Sequence, residues 1–230
     1  MSRLEGLRPE TINKPEYRFV NPNTLIFITG TPLSGKSTIA PLIVSSIDSC
    51  TLQNMDVLRL VAQQIEGTKP EAERNHFVNY GSCDSYRIIG DGSYSPQNLA
   101  EGFNAYSKAV SSVLTNIIPG LELQGARNVL FEGVQLTPSI IAPFLTGNNK
   151  LIIITSTESQ IDSNRDGLYA GNRELIQRYS TEKLLFLQEE ILRQSRKIPK
   201  DKVFYIDNTG DYTNAASEII RGLLNSNVIK

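Results

Sequence analysis

The sequence predicts an α/β protein of three layers, α/β/α, with a five-stranded, mostly parallel sheet and a helical lid. Three observations carry this. Five short segments read as strands, the first of them a continuous β-branched and aromatic run of the kind buried on both faces in a parallel sheet. Segments of helical period separate them, as parallel connections require. The first run ends in a glycine-rich turn that opens directly into a helix.

Residues 1–23 carry Pro9, Pro15 and Pro22 without a periodic apolar pattern. They read as an N-terminal arm, lying on the domain or free of it, ahead of a domain spanning 24–230. Thr24–Thr29 is the first strand, stopping at Gly30. Beyond Gly35, residues Thr38, Ile39, Leu42, Ile43 and Ile47 keep helical spacing despite Pro41 in the early turns. Thr51–Gln53 predicts a second strand and Asp56–Ile65 a helix. From Gly67 to Pro96 the chain is polar, with several Gly and Tyr, and reads as loops and short helices. Pro96–Ile118 fits one long helix through Leu99, Phe103, Tyr106, Val110, Val113, Leu114 and Ile117. Asn128–Phe131 and Leu151–Ile154 are the third and fourth strands. A polar segment, Thr155–Asn172, forms the lid region (about 156–173) before a helix over Arg173–Gln194. Val203–Ile206 is the fifth strand, and a closing helix runs from Tyr212 through Leu224.

Composition narrows the function. The 230 residues are 40% hydrophobic and 20% charged, which excludes disordered, collagenous and coiled-coil readings. Lys and Arg number 23 against 24 Asp and Glu, so no whole-molecule field attracts a phosphate polymer and nucleic acid is disfavoured as a partner. His76 is the only histidine, which removes Ser-His-Asp and zinc-His mechanisms. Cys50 and Cys83 fit no metal-ligand spacing and read as buried thiols of a reduced compartment. The opening Met-Ser-Arg-Leu-Glu-Gly has no apolar core, and no run approaches a membrane span, so a cytoplasmic protein is expected, without a membrane. Oligomeric state stays open, a homodimer among the options.

The turn is the strongest signal. Gly30-Thr31-Pro32-Leu33-Ser34-Gly35-Lys36-Ser37 matches G-x-x-x-x-G-K-[ST] between a buried strand and a helix. Glycines let successive backbone N–H groups point inward at phosphate oxygens, and the following helix adds the positive end of its dipole. Lys36 supplies a mobile charge to the β and γ phosphates, and Ser37 offers its hydroxyl to Mg²⁺. With Thr38 in the first helical turn, these residues form the expected ATP site. A glycine-rich turn with a solvated lysine is the bland alternative.

A GTPase would need Asn-Lys-x-Asp after a strand, and none occurs. A motor would carry an Asp-Glu pair after the third strand, which here ends Phe131-Glu132-Gly133. That leaves a P-loop kinase, in which catalysis is mostly positioning and charge neutralisation, acting on a small-molecule acceptor. Asp56, after the second strand, can accept the proton of an attacking hydroxyl, with a helix N-cap as the plain alternative. Arg59, one turn on, can hold an anionic substrate group. Glu132 can orient Mg²⁺ or help activate the acceptor. In the lid, Arg165, Arg173 and Arg178 are candidates to close over the γ-phosphate, the first two ahead of Arg178, with surface i,i+4 pairing, for instance of Arg178 with Glu174 or Glu182, as the plain alternative. Arg87 is a further contact for an acidic substrate. Asn208 and Thr209, after the fifth strand, fall where adenine commonly rests, although a turn explains them equally well.

Several segments together resemble the 2-phosphoglycerate kinase-like P-loop kinases: Gly30–Thr38, Asp56-Val57-Leu58-Arg59, Gly102-Phe103, Phe131-Glu132-Gly133-Val134-Gln135-Leu136-Thr137-Pro138 and Ile206-Asp207-Asn208-Thr209. The resemblance implies ATP-dependent phosphorylation of a small molecule with Mg²⁺. It departs at Gln135, where the family pattern has His, and at Leu187-Gln188, where it has Ile-Arg. These are substrate- or phosphate-handling positions, so the broad activity carries over better than the acceptor. Two rival readings stand beside it: a nucleoside, nucleotide or polynucleotide kinase, and a non-catalytic nucleotide-binding regulator or toxin-like module.

Overall fold

The computed structural model describes residues 15–123 and 128–230. Its strands are β1 (Tyr17–Arg18), β2 (Leu25–Gly30), β3 (Ile47–Asp48), β4 (Cys50–Asn54), β5 (Asn128–Glu132), β6 (Lys150–Ser156) and β7 (Val203–Asn208). Five of them form one sheet in the order β4-β5-β2-β6-β7, with every neighbouring pair parallel. The helices are α1 (Lys36–Ser46), α2 (Met55–Gly67), α3 (Pro96–Ser111), α4 (Leu114–Leu123), α5 (Pro138–Ile141), α6 (Glu158–Leu168), α7 (Arg173–Arg178), α8 (Thr181–Ser195) and α9 (Tyr212–Asn225).

Strand alternation divides the core in two. Leu25, Phe27, Phe131, Leu151 and Ile153 face α3 and α8 through Leu99, Phe103, Leu184 and Leu187. Ile26, Ile28, Leu130, Ile152 and Ile154 face α1 and α9 through Ile39, Ile43, Ile219 and Leu223. Both faces are thus dry, which is why the runs are unbroken in sequence. Register then sets the site. Asn54 pairs with Glu132, Ile28 with Glu132 and Gly30 with Ile154, so the carboxyl ends of β4, β5, β2 and β6 open on one crevice.

Two sequence expectations, both long helices, need correction, and two others become specific. The predicted 96–118 helix is two helices, broken at Ser112-Val113. The break lets Val113 pack against the small cluster of Ala62, Val78 and Ala109 while Leu114 and Ile118 stay on the sheet. The polar lid segment is α6, whose Thr157 hydroxyl caps the helix by accepting from Gln160 N at 3.3 Å. The 173–194 helix is also interrupted, at Tyr179-Ser180, where Tyr179 turns to stack on Tyr169 with ring centroids 5.3 Å apart. From Tyr17 onward the arm lies on the domain. Here β1 pairs in parallel with β3, and Arg18 N and Val20 N donate to Lys230 O and Val228 O at 3.0 and 2.9 Å. Residues 1–14 of that arm lie outside the described residues. No helix among the described residues is long and apolar enough to cross a membrane.

Candidate active site

The turn after β2 is built to expose peptide N–H groups. Leu33 and Gly35 both have positive φ, 68° and 89°. Gly35 is the N-cap of α1 and no side chain caps that helix, so the first-turn N–H groups of Lys36 and Ser37 have no intrahelical acceptor. Two asparagines draw the loop carbonyls the other way. Asn164 of α6 donates to Leu33 O at 2.8 Å, and Asn208 at the end of β7 donates to Ser34 O at 2.8 Å. A Cβ at Gly35 would stand 2.6 Å from Asn208 Nδ2 and 2.6 Å from the Tyr212 ring, so only glycine allows this approach. The result is an anion cradle at a helix N-terminus.

Lys36 is buried and reaches back across the loop, donating from Nζ to Thr31 O at 2.6 Å and to Ser34 Oγ at 3.3 Å. Burial pushes its pKa down to about 8, and the nearby carboxylates of Glu132 and Asp56 only partly offset this. The Ser37 hydroxyl donates to Glu132 Oε1 at 3.3 Å, and Asn54 Nδ2 donates to the same oxygen. Burial raises the Glu132 pKa against the opposing pull of Lys36, and the Asp56 charge adds to the rise. Among the described residues no group of three or more His, Cys, Asp or Glu forms a metal cage. Ser37 and Glu132 instead offer hard oxygens of the kind that share Mg²⁺ with phosphate groups, where the ion would neutralise phosphate charge.

Asn54, rather than Asp56, caps α2. Its Oδ1 accepts from Asp56 N at 2.8 Å and Val57 N at 3.2 Å. The Asp56 carboxylate is therefore free of the capping role. Its Oδ1 accepts from Gln135 Nε2 at 2.9 Å, and the same nitrogen donates to Tyr106 OH at 2.7 Å. Gln135 is wholly buried, and Ser111 Oγ donates to its backbone carbonyl at 3.1 Å.

One cavity of about 740 Å³ joins these groups. Lys36, Ser37, Thr38, Asp56 and Glu132 line one part of it, with Pro32, Leu33 and Gly35 of the loop. Arg59, Arg87, Arg178 and Asp84 line it as well, with Tyr80, Tyr106, Tyr169, Tyr179 and Tyr212. Its size and its convergent polar groups suit a pair of small ligands. Of the residues singled out in the sequence, Lys36, Ser37, Thr38, Asp56, Arg59, Arg87 and Glu132 line this one cavity. Gly30, Thr31 and Ser34 are buried and shape the turn without lining the cavity.

Other expectations fail on geometry. The Arg165 guanidinium is committed to Asp162 and Asp166, both at 2.9 Å, and to the Thr181 hydroxyl at 2.7 Å. Arg173 is exposed, and neither arginine lines the cavity. Arg178 does, because the break after α7 turns it inward, where Nε stands 2.6 Å from Asp84 Oδ2. Its pairing with Glu174, at 3.3 Å, survives beside this. Asn208 is a loop prop whose amide is already used, its Oδ1 accepting from Gly210 N at 3.0 Å, and Thr209 is exposed away from the cavity. Asn54, Asp84 and the orienting role of Gln135 were not foreseen. Only Asn54 carried a local signal, as Asn at a strand-to-helix junction.

No protein-family model and no curated protein matches the chain. Among solved structures the chain is similar to thymidylate kinase from Candida albicans at 15% identity and a TM-score of 0.47, covering 91% of this chain and 95% of that one. It is similar to a gluconokinase from Sinorhizobium meliloti 1021 at 13% identity and a TM-score of 0.49, covering 88% and 93%. A Thermus thermophilus protein matches at 17% identity and a TM-score of 0.48, covering 89% and 98%.

Proposed function

We propose that the protein is an ATP-dependent, Mg²⁺-requiring kinase that phosphorylates a hydroxyl of a small anionic metabolite, with 2-phosphoglycerate as the reference compound for size and charge. The observation that carries this is the shared cavity. A triphosphate cradle opens into the same space as a carboxylate held by Gln135 and a set of guanidinium groups. A switch or a non-catalytic module has no use for the second half of that space. The loop N–H groups and Lys36 bind the phosphates, Ser37 and Glu132 hold Mg²⁺, and Asp56 takes the proton of the attacking hydroxyl. Arg59 and Arg87 hold the acceptor's anionic group. The resemblance around Glu132–Pro138 supports the same activity, and the change at Gln135 is where the acceptor is expected to differ.

Incubation with Mg²⁺-ATP and a panel of small hydroxylated anions tests this by ADP release and phosphorylated mass. Acceptor-dependent gain of one phosphoryl group supports the kinase; acceptor-independent hydrolysis alone refutes it. A nucleoside monophosphate is the second reading for the acceptor, favoured by the tyrosine walls at Tyr80, Tyr169 and Tyr179, and belongs in the same panel.

A further inference from the structure

The acceptor end of the cavity holds a contact that the proposed reaction leaves unused. Asp84 is 5% exposed and lines the cavity, yet its Oδ1 has no hydrogen-bond partner among the described residues. Arg178 Nε stands 2.6 Å from the other oxygen, Oδ2, and Arg87 Nη2 stands 3.7 Å from Oδ1, beyond hydrogen-bond reach. The backbone that carries the carboxylate is held in place. Asp84 N and Ser85 N donate to Gly81 O at 3.1 and 3.0 Å, and α3 packs so closely that a Cβ at Gly102 would stand 2.5 Å from the Ser85 carbonyl carbon.

An ionised carboxylate only accepts, so the partner Asp84 lacks is a donor. Arg59, Arg87 and Arg178 line the same cavity and would repel an ammonium, so the donor is neutral, and a hydroxyl is the neutral donor that the acceptor of a kinase carries. Two further buried atoms without partners among the described residues point the same way. Arg59 Nε needs an acceptor, which an anionic group supplies. Gln135 Oε1 needs a donor, and its own Nε2 is already committed to Asp56 and Tyr106.

Resting on the kinase reading above, we propose that the acceptor is an anionic polyol, a carboxylate or phosphate on a carbon skeleton bearing at least two hydroxyl groups, and that Asp84 reads the hydroxyl that does not react. In the transfer, the reacting hydroxyl oxygen bonds to the γ-phosphorus, the bond from that phosphorus to the β-phosphate bridging oxygen breaks, the hydroxyl proton passes to Asp56, and ADP leaves. Asp84 takes no part in these steps and determines specificity. A site built to bind a hydroxyl rejects the analogue lacking it far more strongly than a merely apolar pocket would.

The test measures Mg²⁺-ATP binding by calorimetry and kcat/KM for matched acceptors: gluconate and ribose 5-phosphate, their deoxy analogues, and 2-phosphoglycerate, which has one hydroxyl. At least one polyol should accept phosphate, and its deoxy analogue should lose ~10³-fold or more in kcat/KM. In Asp84→Ala that ratio should shrink to under ~10-fold, because the accepting oxygen is gone. The wild-type comparison stands without the variant if Asp84→Ala folds poorly. Equal use of 2-phosphoglycerate and the polyols, or an unchanged ratio in a folded Asp84→Ala, overturns the proposal. So does a protein that binds Mg²⁺-ATP and phosphorylates none of the polyols. Absence of Mg²⁺-ATP binding overturns the kinase reading itself and is scored separately by the calorimetry.

Discussion

Gln135 donates from Nε2 to Asp56 Oδ1 at 2.9 Å, from a side chain with no exposed surface. The amide is itself fixed, by Tyr106 OH at 2.7 Å and by Ser111 at its carbonyl. A carboxylate on the first turn of a helix would otherwise sample several rotamers, and this bond selects one. Gln135→Leu keeps the volume and removes the bond. It should lower kcat about 10–100-fold while the Kd for Mg²⁺-ATP stays within about twofold. A rise in acceptor KM alone, with kcat unchanged, would assign Gln135 to binding.

The split between Asn54 and Asp56 makes a second pair of outcomes. Asn54→Ala removes the α2 cap and should cost about 1 kcal/mol of stability in denaturant melts. Asp56→Asn leaves the cap in place. It should change stability by less than about 0.5 kcal/mol while cutting turnover by ~10²-fold or more. If Asp56→Asn instead lost stability and kept its turnover, Asp56 would be a structural acid.

The centre of the sheet was legible because its chemistry is local: β2, β5 and β6 are buried along their whole length, so a continuous run such as Leu25–Ile28 announces them, while the edge strands β4 and β7 are only partly buried. The turn after β2 was legible for a similar reason, since its backbone needs glycine at Gly35 and opens directly into α1. Helix breaks were not. Val113 and Tyr179 keep helical period in sequence, and only their packing against Ala109 and Tyr169 shows that the chain turns there. The α6 segment hid for the opposite reason, because Ile161 is its only buried residue and leaves no period to read. Asp84 was illegible in kind: it lies in a polar stretch without pattern, and its burial comes from α3 and α7 folding over it.

Lys36 gives a pH prediction. Its folded pKa of about 8 lies below the ordinary 10.5, so above pH 8 the ligand-free protein carries it neutral. A bound triphosphate favours the charged form. Mg²⁺-ATP affinity should therefore fall as pH rises through about 8, by up to about tenfold per unit, and binding should take up a proton. Titrations near pH 7 and near pH 9 in buffers of different ionisation heat measure both. Between about pH 8 and 10.5 the unfolded lysine holds its proton longer than the folded one, so this group makes the ligand-free fold more stable as pH rises over that window. Lys36→Ala should remove the proton uptake, abolish transfer and leave the fold intact.

Glu132 has the opposite chemistry in the same space. Burial holds its pKa above the ordinary carboxylate value, so the charged form is unfavourable in the ligand-free fold. The sign follows: as pH rises from the unfolded to the folded pKa, the unfolded chain sheds its proton first, and this group lowers stability over that window. Glu132→Gln removes the charge and keeps an acceptor for Asn54. It should hold or raise the melting temperature at neutral pH while raising the Mg²⁺ concentration needed for half-maximal activity by ~10-fold or more. Loss of stability with an unchanged Mg²⁺ requirement would make Glu132 a partner of Asn54 and Ser37 only.

The arginines of the lid separate position from sequence number. Arg165 spends its guanidinium on Asp162, Asp166 and Thr181, an arrangement that ties α6 to the start of α8. Its loss, as Arg165→Ala, should cost about 1 kcal/mol or less in stability and leave kcat within about threefold. Arg178, thirteen residues later in the chain, faces the cavity beside Asp84, so Arg178→Ala removes a cation from the cavity wall and strands a buried carboxylate. It should raise acceptor KM by ~10-fold or more with Mg²⁺-ATP affinity little changed. Arg178→Lys should not rescue it, because an ammonium cannot offer the several directed N–H groups that Asp84 and an anionic acceptor would share. If Arg165→Ala instead abolished transfer in a protein of normal stability, closure would have to break three contacts to bring that guanidinium onto the phosphate, and Arg178 would lose its place as the cation that matters.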